Sequence, residues 1–220
     1  MKKAVVLLSG GLDSATTLYA ARRQGYRLRA LICDYGQRHG REVAAAKRIA
    51  RSAGVPFDVI RLRLPWKGSA LLDRKVRLPR ALQRRAGIPA TYVPARNIIF
   101  LSLALSCAEA WAARCVFIGA NAIDYSGYPD CRPAFYRAFA LAGRRGTKAG
   151  VLGRGVAVKT PLIRLTKARI IKKGMRLGVP YALTWSCYKG GSRPCGCCDS
   201  CRLRAKGFRE AGLPDPAVQK

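Results

Sequence analysis

A chain of 220 residues, half of them apolar, suits one α/β domain with a sizeable core and a small appendage. Its 42 Lys and Arg against 11 Asp and Glu leave a net charge of +31, which attracts polyanions, although the cations are spread along the chain and not gathered in one tail. The longest apolar stretch, Ile98 to Ala113, is interrupted by Ser102, Ser106 and Glu109 and falls short of the roughly 20 residues of a membrane span, so a buried central helix in a soluble, cytoplasmic protein is expected. The first residues do not read as a signal peptide, because the apolar run after "MKK" breaks at once into Ser-Gly-Gly-Leu-Asp.

In chain order, Ala4–Leu8 reads as a buried parallel strand, Ser14–Arg23 as a helix and Arg27–Cys33 as a second strand. Arg41–Ala53 has apolar residues at helical spacing, and Phe57–Leu62 is a third strand. Pro65 to Pro94, basic and holding four prolines, breaks the rhythm and is expected to be an excursion over the sheet edge. Asn97–Ala113 is the long helix and Cys115–Ile118 a strand. Gly119–Arg132 is a Gly-, Asp- and Tyr-rich segment of the kind that binds substrate. Val156–Lys159 is a short strand, Thr166–Leu177 a helix capped by Thr166 and stopped by Gly178 and Pro180, and a cysteine cluster and a short basic helix follow. Strands alternating with helices give a parallel sheet with right-handed crossovers, whose ligands sit beyond the carboxyl ends of the strands. "SGGLDS" (Ser9–Ser14), "DYGQ" and "GANAIDYSG" all follow strands and should converge on one edge.

In "SGGLDS", Gly10 and Gly11 allow close approach of backbone to phosphate, and the free amides opening the next helix favour an anion. The lysine of the usual phosphate loop is absent, and Asp13 stands in the cradle instead. Five of the nine cysteines crowd into Cys187 to Cys201, which in a chain without secretory features indicates metal and not disulfides. Cys187, Cys195, Cys198 and Cys201 form C-x7-C-x2-C-x2-C, a spacing that can close a four-thiolate structural Zn²⁺ site; spacing alone also admits iron and sulfide. Cys197 is then the spare.

"SGGLDS" resembles the pyrophosphate loop of the N-type ATP pyrophosphatases, which split ATP between its α- and β-phosphates and transfer AMP to an oxygen. With "DYGQRH", "TYVPARN", "GANAIDYSGYPDCR", "TPLIRLTKA" and "CGCCDSCRLR" in order, the chain resembles the 7-cyano-7-deazaguanine synthase family from about Val5 to Pro216. Arg169 departs from the pattern, where Glu is expected, and the +31 charge is unusual for the family. The resemblance implies a Rossmann-like parallel sheet with helices on both faces (adenine nucleotide α-hydrolase-like), over residues 1–220 as one domain, with a zinc-binding segment at 185–204. It implies that 7-carboxy-7-deazaguanine, ammonia and ATP become the nitrile through adenylation of the acid and then of the amide, as a step towards the tRNA bases queuosine or archaeosine. Free ammonia is expected, since the only histidine, His39, gives no glutamine-hydrolysing Cys–His pair.

On that resemblance Leu8, Ser9, Gly10, Gly11, Leu12, Asp13 and Ser14 would bind ATP, with Ser9, Gly10, Gly11, Asp13 and Ser14 holding the pyrophosphate and Mg²⁺ accompanying ATP near Asp13. Asp34, Tyr35 and Gln37 would meet ribose or adenine, and Arg96 a phosphate or the substrate carboxylate. Asp13 and Arg96 are the catalytic candidates; Asp124, Tyr125, Ser126, Asp130 and Arg132 are candidates for the guanine-like base. Lys159 and Lys167 are weaker candidates for phosphate, and His39 reads equally as a solvated loop residue. A homodimer is implied, and direct tRNA contact and membrane association are not expected.

Overall fold

The computed structural model describes residues 1–73, 75–78, 87–123 and 127–217. Five strands, β1 (Lys3–Leu7), β2 (Arg27–Asp34), β3 (Phe57–Arg61), β4 (Cys115–Phe117) and β5 (Ala157–Lys159), form one parallel sheet in the order β3-β2-β1-β4-β5. The chain runs outward from β1 to β3 and then returns to place β4 on the other side of β1. The switch of direction therefore falls between β1 and β4, where the ends of neighbouring strands part and leave a crevice.

Ala4, Val5 and Val6 are wholly buried, as a strand covered on both faces requires. Ala4 and Val6, with Leu28, Ala30, Ile32 and Phe117, face the helices α1 (Leu12–Arg23), α2 (Arg41–Ser52), α6 (Lys167–Arg176) and α7 (Asp199–Ala211). Val5 and Leu7, with Leu31 and Val116, face α3 (Arg96–Ala110) and α4 (Pro133–Gly146). A short α5 (Lys148–Val151) follows α4. The Thr166 hydroxyl caps α6 by accepting from Arg169 N at 3.4 Å, and Gly178 at φ 72° follows its end, as the sequence predicts.

Three expectations change. The helix over Asn97–Ala113 is not buried all round: only Leu101, Ala104 and Ala108 of α3 are buried, and Ile98 is 44% exposed. α4 is absent from the elements expected of the sequence, although Pro133 at its first turn and Phe135, Tyr136 and Phe139 at helical spacing carry the signal. The excursion after β3 does not simply cover the sheet edge. Leu71 and Val93 pack on Tyr35 at the end of β2 and bring this segment to the crevice. Among the described residues no helix is long and apolar enough to cross a membrane.

Candidate active site

β1 ends at Leu7, and Leu8 N still donates to Leu31 O at 2.9 Å before the chain turns. Gly10 turns at φ 85°, and a Cβ there would stand 2.3 Å from the carbonyl oxygen of Glu42 and 2.7 Å from Ala46 N. Glycine is required twice over, by the left-handed dihedral and by contact with the backbone of α2. Gly11, in extended conformation, then opens α1 without any side-chain cap. Its first-turn amides are thus not taken by a capping side chain, and the helix dipole adds positive potential at that point. Ser9 and Ser14 complete the ring: Ser9 Oγ donates to Ser14 Oγ at 3.0 Å, and Ser14 Oγ to Gly11 O at 3.1 Å.

This loop forms one wall of a crevice of about 260 Å³ at the β1/β4 switch. Leu8, Ser9, Gly11, Leu12, Asp13 and Ser14 line it, with Tyr35 and Gln37 after β2, Arg96 and Asn97 at the start of α3, and Gly119 to Asn121 after β4. A Cβ on Gly119 would lie 2.9 Å from the backbone of Asp13 and Ser14, so a bare peptide is needed where the β4 turn crosses α1. Gly10 stands behind the wall. Asp34 closes β2, accepting Leu62 N at 2.7 Å through its carbonyl, and does not line the crevice.

Asp13 is not a free carboxylate. Lys167 Nζ donates to Asp13 Oδ1 at 2.8 Å and to Oδ2 at 2.7 Å, and the side chains are 9% (Lys167) and 18% (Asp13) exposed. The loop that lacks its own lysine receives one from α6, more than 150 positions on. Lys159 is engaged elsewhere, donating to Tyr26 Oη at 2.8 Å.

Across the crevice, left-handed Ala95 (φ 54°) turns the chain into α3, and Arg96 Nη1 donates to Tyr35 Oη at 3.2 Å. Burial works against the Arg96 charge, but Tyr35, Tyr128 and Glu42 outweigh it, and the guanidinium is held above its usual range. Glu42, at the start of α2, lines the same space. Burial pushes its carboxyl up to about 7 despite the attraction of Arg96. Nothing in the sequence marks Glu42, which looks like a favourable first-turn acid on an exposed helix face.

Of the five residues expected to meet a base, Asp124, Tyr125 and Ser126 lie outside the described residues. Asp130 is buried and engaged: its Oδ2 accepts Asn97 N at 3.2 Å in the first turn of α3, and its carbonyl accepts Asn97 Nδ2 at 3.1 Å and Tyr136 Oη at 3.0 Å. Arg132 is exposed at the start of α4 and does not line the crevice. Asn121, Tyr128 and Cys131 from the same segment do line it.

The sulfurs of Cys187, Cys195, Cys198 and Cys201 lie within 4.8 Å of one another. Tetrahedral Zn–S bonds of about 2.3 Å put sulfurs about 3.8 Å apart, so this group fits such an ion. Backbone N–H groups of Lys189 and Cys195 donate to Cys187 Sγ, and that of Cys198 to Cys195 Sγ, each at 3.4 Å. Hydrogen bonds from Cys198 and Cys201 hold the Cys187 thiol well below its usual range, while the same contact with Cys187 pushes Cys201 far up. Four sulfurs this close cannot all ionise unless a cation joins them. Cys197 stays outside the group, its sulfur 3.6 Å from that of Cys195. The segment meets the Ser9–Ser14 loop directly through Trp185 N, which donates to Gly10 O at 2.9 Å, and it meets the stretch after β2 where the His39 ring abuts Gly190.

The profile described as "Queuosine biosynthesis protein QueC" matches residues 3–212. The chain belongs to the QueC family. Among QueC-family relatives, a protein of Ectopseudomonas mendocina (strain ymp) named 7-cyano-7-deazaguanine synthase is 56% identical over 218 residues, covering 97% of this chain and 96% of its own. One of the same name from Anaeromyxobacter sp. (strain Fw109-5) is 54% identical over 223 residues, covering 99% and 96%. The fold is shared more widely. NMN synthetase from Francisella tularensis superposes with a TM-score of 0.52 at 15% identity, over 99% of this chain and 81% of that one. A 4-thiouridine synthetase, solved as an RNA complex with bound ATP, gives 0.53 at 19% identity, over 96% and 50%.

Proposed function

We propose that this QueC-family chain is a 7-cyano-7-deazaguanine synthase, converting 7-carboxy-7-deazaguanine and ammonia to the nitrile with two ATP. The observation that carries the reading is the meeting of the Ser9–Ser14 loop and the Gly119–Asn121 turn on one crevice.

A carboxylate resists ammonia because oxide is a very poor leaving group. Attack of the carboxylate oxygen on the α-phosphorus of ATP expels pyrophosphate and leaves an acyl adenylate. Ammonia adds to the acyl carbon, AMP departs, and loss of a proton gives the amide. The amide oxygen then attacks a second ATP in the same way; loss of AMP and of the remaining nitrogen protons leaves the nitrile. Acid and amide are nearly isosteric, so one crevice serves both rounds.

The protein's part is positioning and charge. The α1 amides with Ser9 and Ser14 receive the departing pyrophosphate. Lys167, held by Asp13, shares its charge with the phosphates; Mg²⁺ arriving with ATP would compete for the same carboxylate. Arg96, fixed by Tyr35, faces the substrate carboxylate or the α-phosphate. The four cysteines would hold Zn²⁺, which would supply structural cross-linking alone, and the other five cysteines, none in a disulfide, suit a reducing cytoplasm.

Incubation with ATP, ammonia and the deazaguanine acid, followed by mass detection, tests the reading. Amide and nitrile should appear in turn, with pyrophosphate released in both rounds. Absence of both products and of pyrophosphate from a folded, metal-loaded protein would overturn it.

A further inference from the structure

A second groove, between the C-terminal half of α1 and the outer face of α6, is separate from the crevice described above. Arg22 and Arg23 form one wall; Arg169, Lys172, Lys173 and Arg176 form the other. The four cations of α6 sit at i, i+3, i+4 and i+7 and make a stripe along one face. Among the described residues no carboxylate lines the groove. The single acid of α1, Asp13, lies at its opposite end in the pair with Lys167, and α6 carries none. Six like charges side by side repel, a cost that an anionic occupant relieves.

We propose that this groove binds the sugar–phosphate backbone of an RNA. Four of the six cations are Arg, whose planar fork matches two phosphate oxygens at once. The floor, Tyr19, Leu165 and Leu177, is buried or half-buried, which leaves no exposed apolar anchor of the kind that dominates protein partners. A stripe recurring every helical turn, about 5.4 Å, suits regularly spaced phosphates, and the compact sugar pucker of RNA brings them closer to that repeat than B-form DNA does. The net charge of +31 would speed the encounter; the groove would decide where it ends.

The test is fluorescence anisotropy with a short fluorescein-labelled RNA hairpin, over roughly 50 to 200 mM salt. The charge reversal R22E/K172E/R176E should weaken binding at least about tenfold and flatten the salt slope by about one for each phosphate no longer neutralised. The control R137E/R145E/K148E changes charge equally on the other side of the sheet and should stay within about twofold. The neutral R22Q/K172Q/R176Q should fall between wild type and reversal, and unchanged thermal melts show that each variant folds. Unchanged binding by the groove variants, or equal weakening in groove and control variants, would overturn the proposal. So would a DNA hairpin, inorganic polyphosphate or an acidic peptide binding as tightly as the RNA with the same sensitivity.

Discussion

The backbone N–H of Trp185 donates to the carbonyl of Gly10 at 2.9 Å. This bond joins the cysteine segment to the Ser9–Ser14 loop, with Cys187 two residues beyond Trp185 and its carbonyl accepting the indole N–H at 2.8 Å. If the cysteines hold a metal and the Ser9–Ser14 loop holds ATP, removing the metal should therefore loosen the nucleotide site as well as the C-terminal segment. With a strong chelator, or in C198S, the melting temperature should fall by more than about 10 °C, and ATP affinity should drop with it. Calorimetry alongside metal analysis checks this. Full ATP affinity after loss of metal would show that the bond transmits nothing.

The Asp13–Lys167 pair should behave as a unit. With ATP phosphates on the Ser9–Ser14 loop, as proposed, K167A would leave Asp13 uncompensated beside them and remove a cation from them. Turnover should fall by about 10² to 10³, the loss typical of one preorganised charge at a reacting centre. D13N frees Lys167 and should bind ATP at least as tightly while still turning over slowly. Steady-state kinetics on both, with the double variant, separates a coupled pair from two independent contributions.

Glu42 gives a pH signature. Its folded carboxyl titrates at about 7, above the ordinary 4.5, so between these values the folded state holds a proton that the unfolded state has released. Stability from this group is complete below 4.5 and is lost as pH rises through 7. Burial is the main cause, opposed by Arg96 and reinforced by Cys187. E42Q should remove the penalty and stabilise the protein at pH 8 by about 1–2 kcal/mol, with little effect at pH 4.5. Chemical denaturation at the two pH values measures it.

The two loop glycines should fail differently. Gly10 is left-handed and touches α2, so G10A should cost at least about 2 kcal/mol of stability. Gly11 is extended, and the nearest atoms to its Cβ position are 3.6 Å away at Ser9 Oγ and 3.7 Å at Trp185 O. G11A should fold normally and lose ATP affinity. Equal melting temperatures for the two variants would contradict this assignment.

Much of this architecture is legible in the sequence because it is local. A strand buried on both faces, a glycine turn and an amphipathic helix each announce themselves within a dozen residues, as Ala4–Leu8, Ser9–Ser14 and the Thr166-capped α6 do. The cysteines are legible through spacing alone. What escapes depends on distant partners. Lys167 is one cation among 42 until α6 is laid beside α1. Asp130 resembles a binding-loop acid until Asn97, 33 positions away, places its N–H against it. Glu42 looks solvated until the fold sets it on one crevice with Arg96 and Tyr35. α4 is hidden for another reason: Gly143 and Gly146 weaken its propensity, and packing against Leu105 compensates.

Thr91 Oγ1 and Tyr128 Oη share a hydrogen bond of 2.5 Å, and the Gly127 Cβ position is 2.8 Å from the Pro89 ring. Two stretches of chain almost forty positions apart are thereby latched into one panel, which reaches the crevice through Tyr128. Such a panel cannot be retuned one stretch at a time. Attempts to broaden the accepted base by changing only the stretch after β4 would strand Thr91 without its partner, so variation there should succeed in matched pairs.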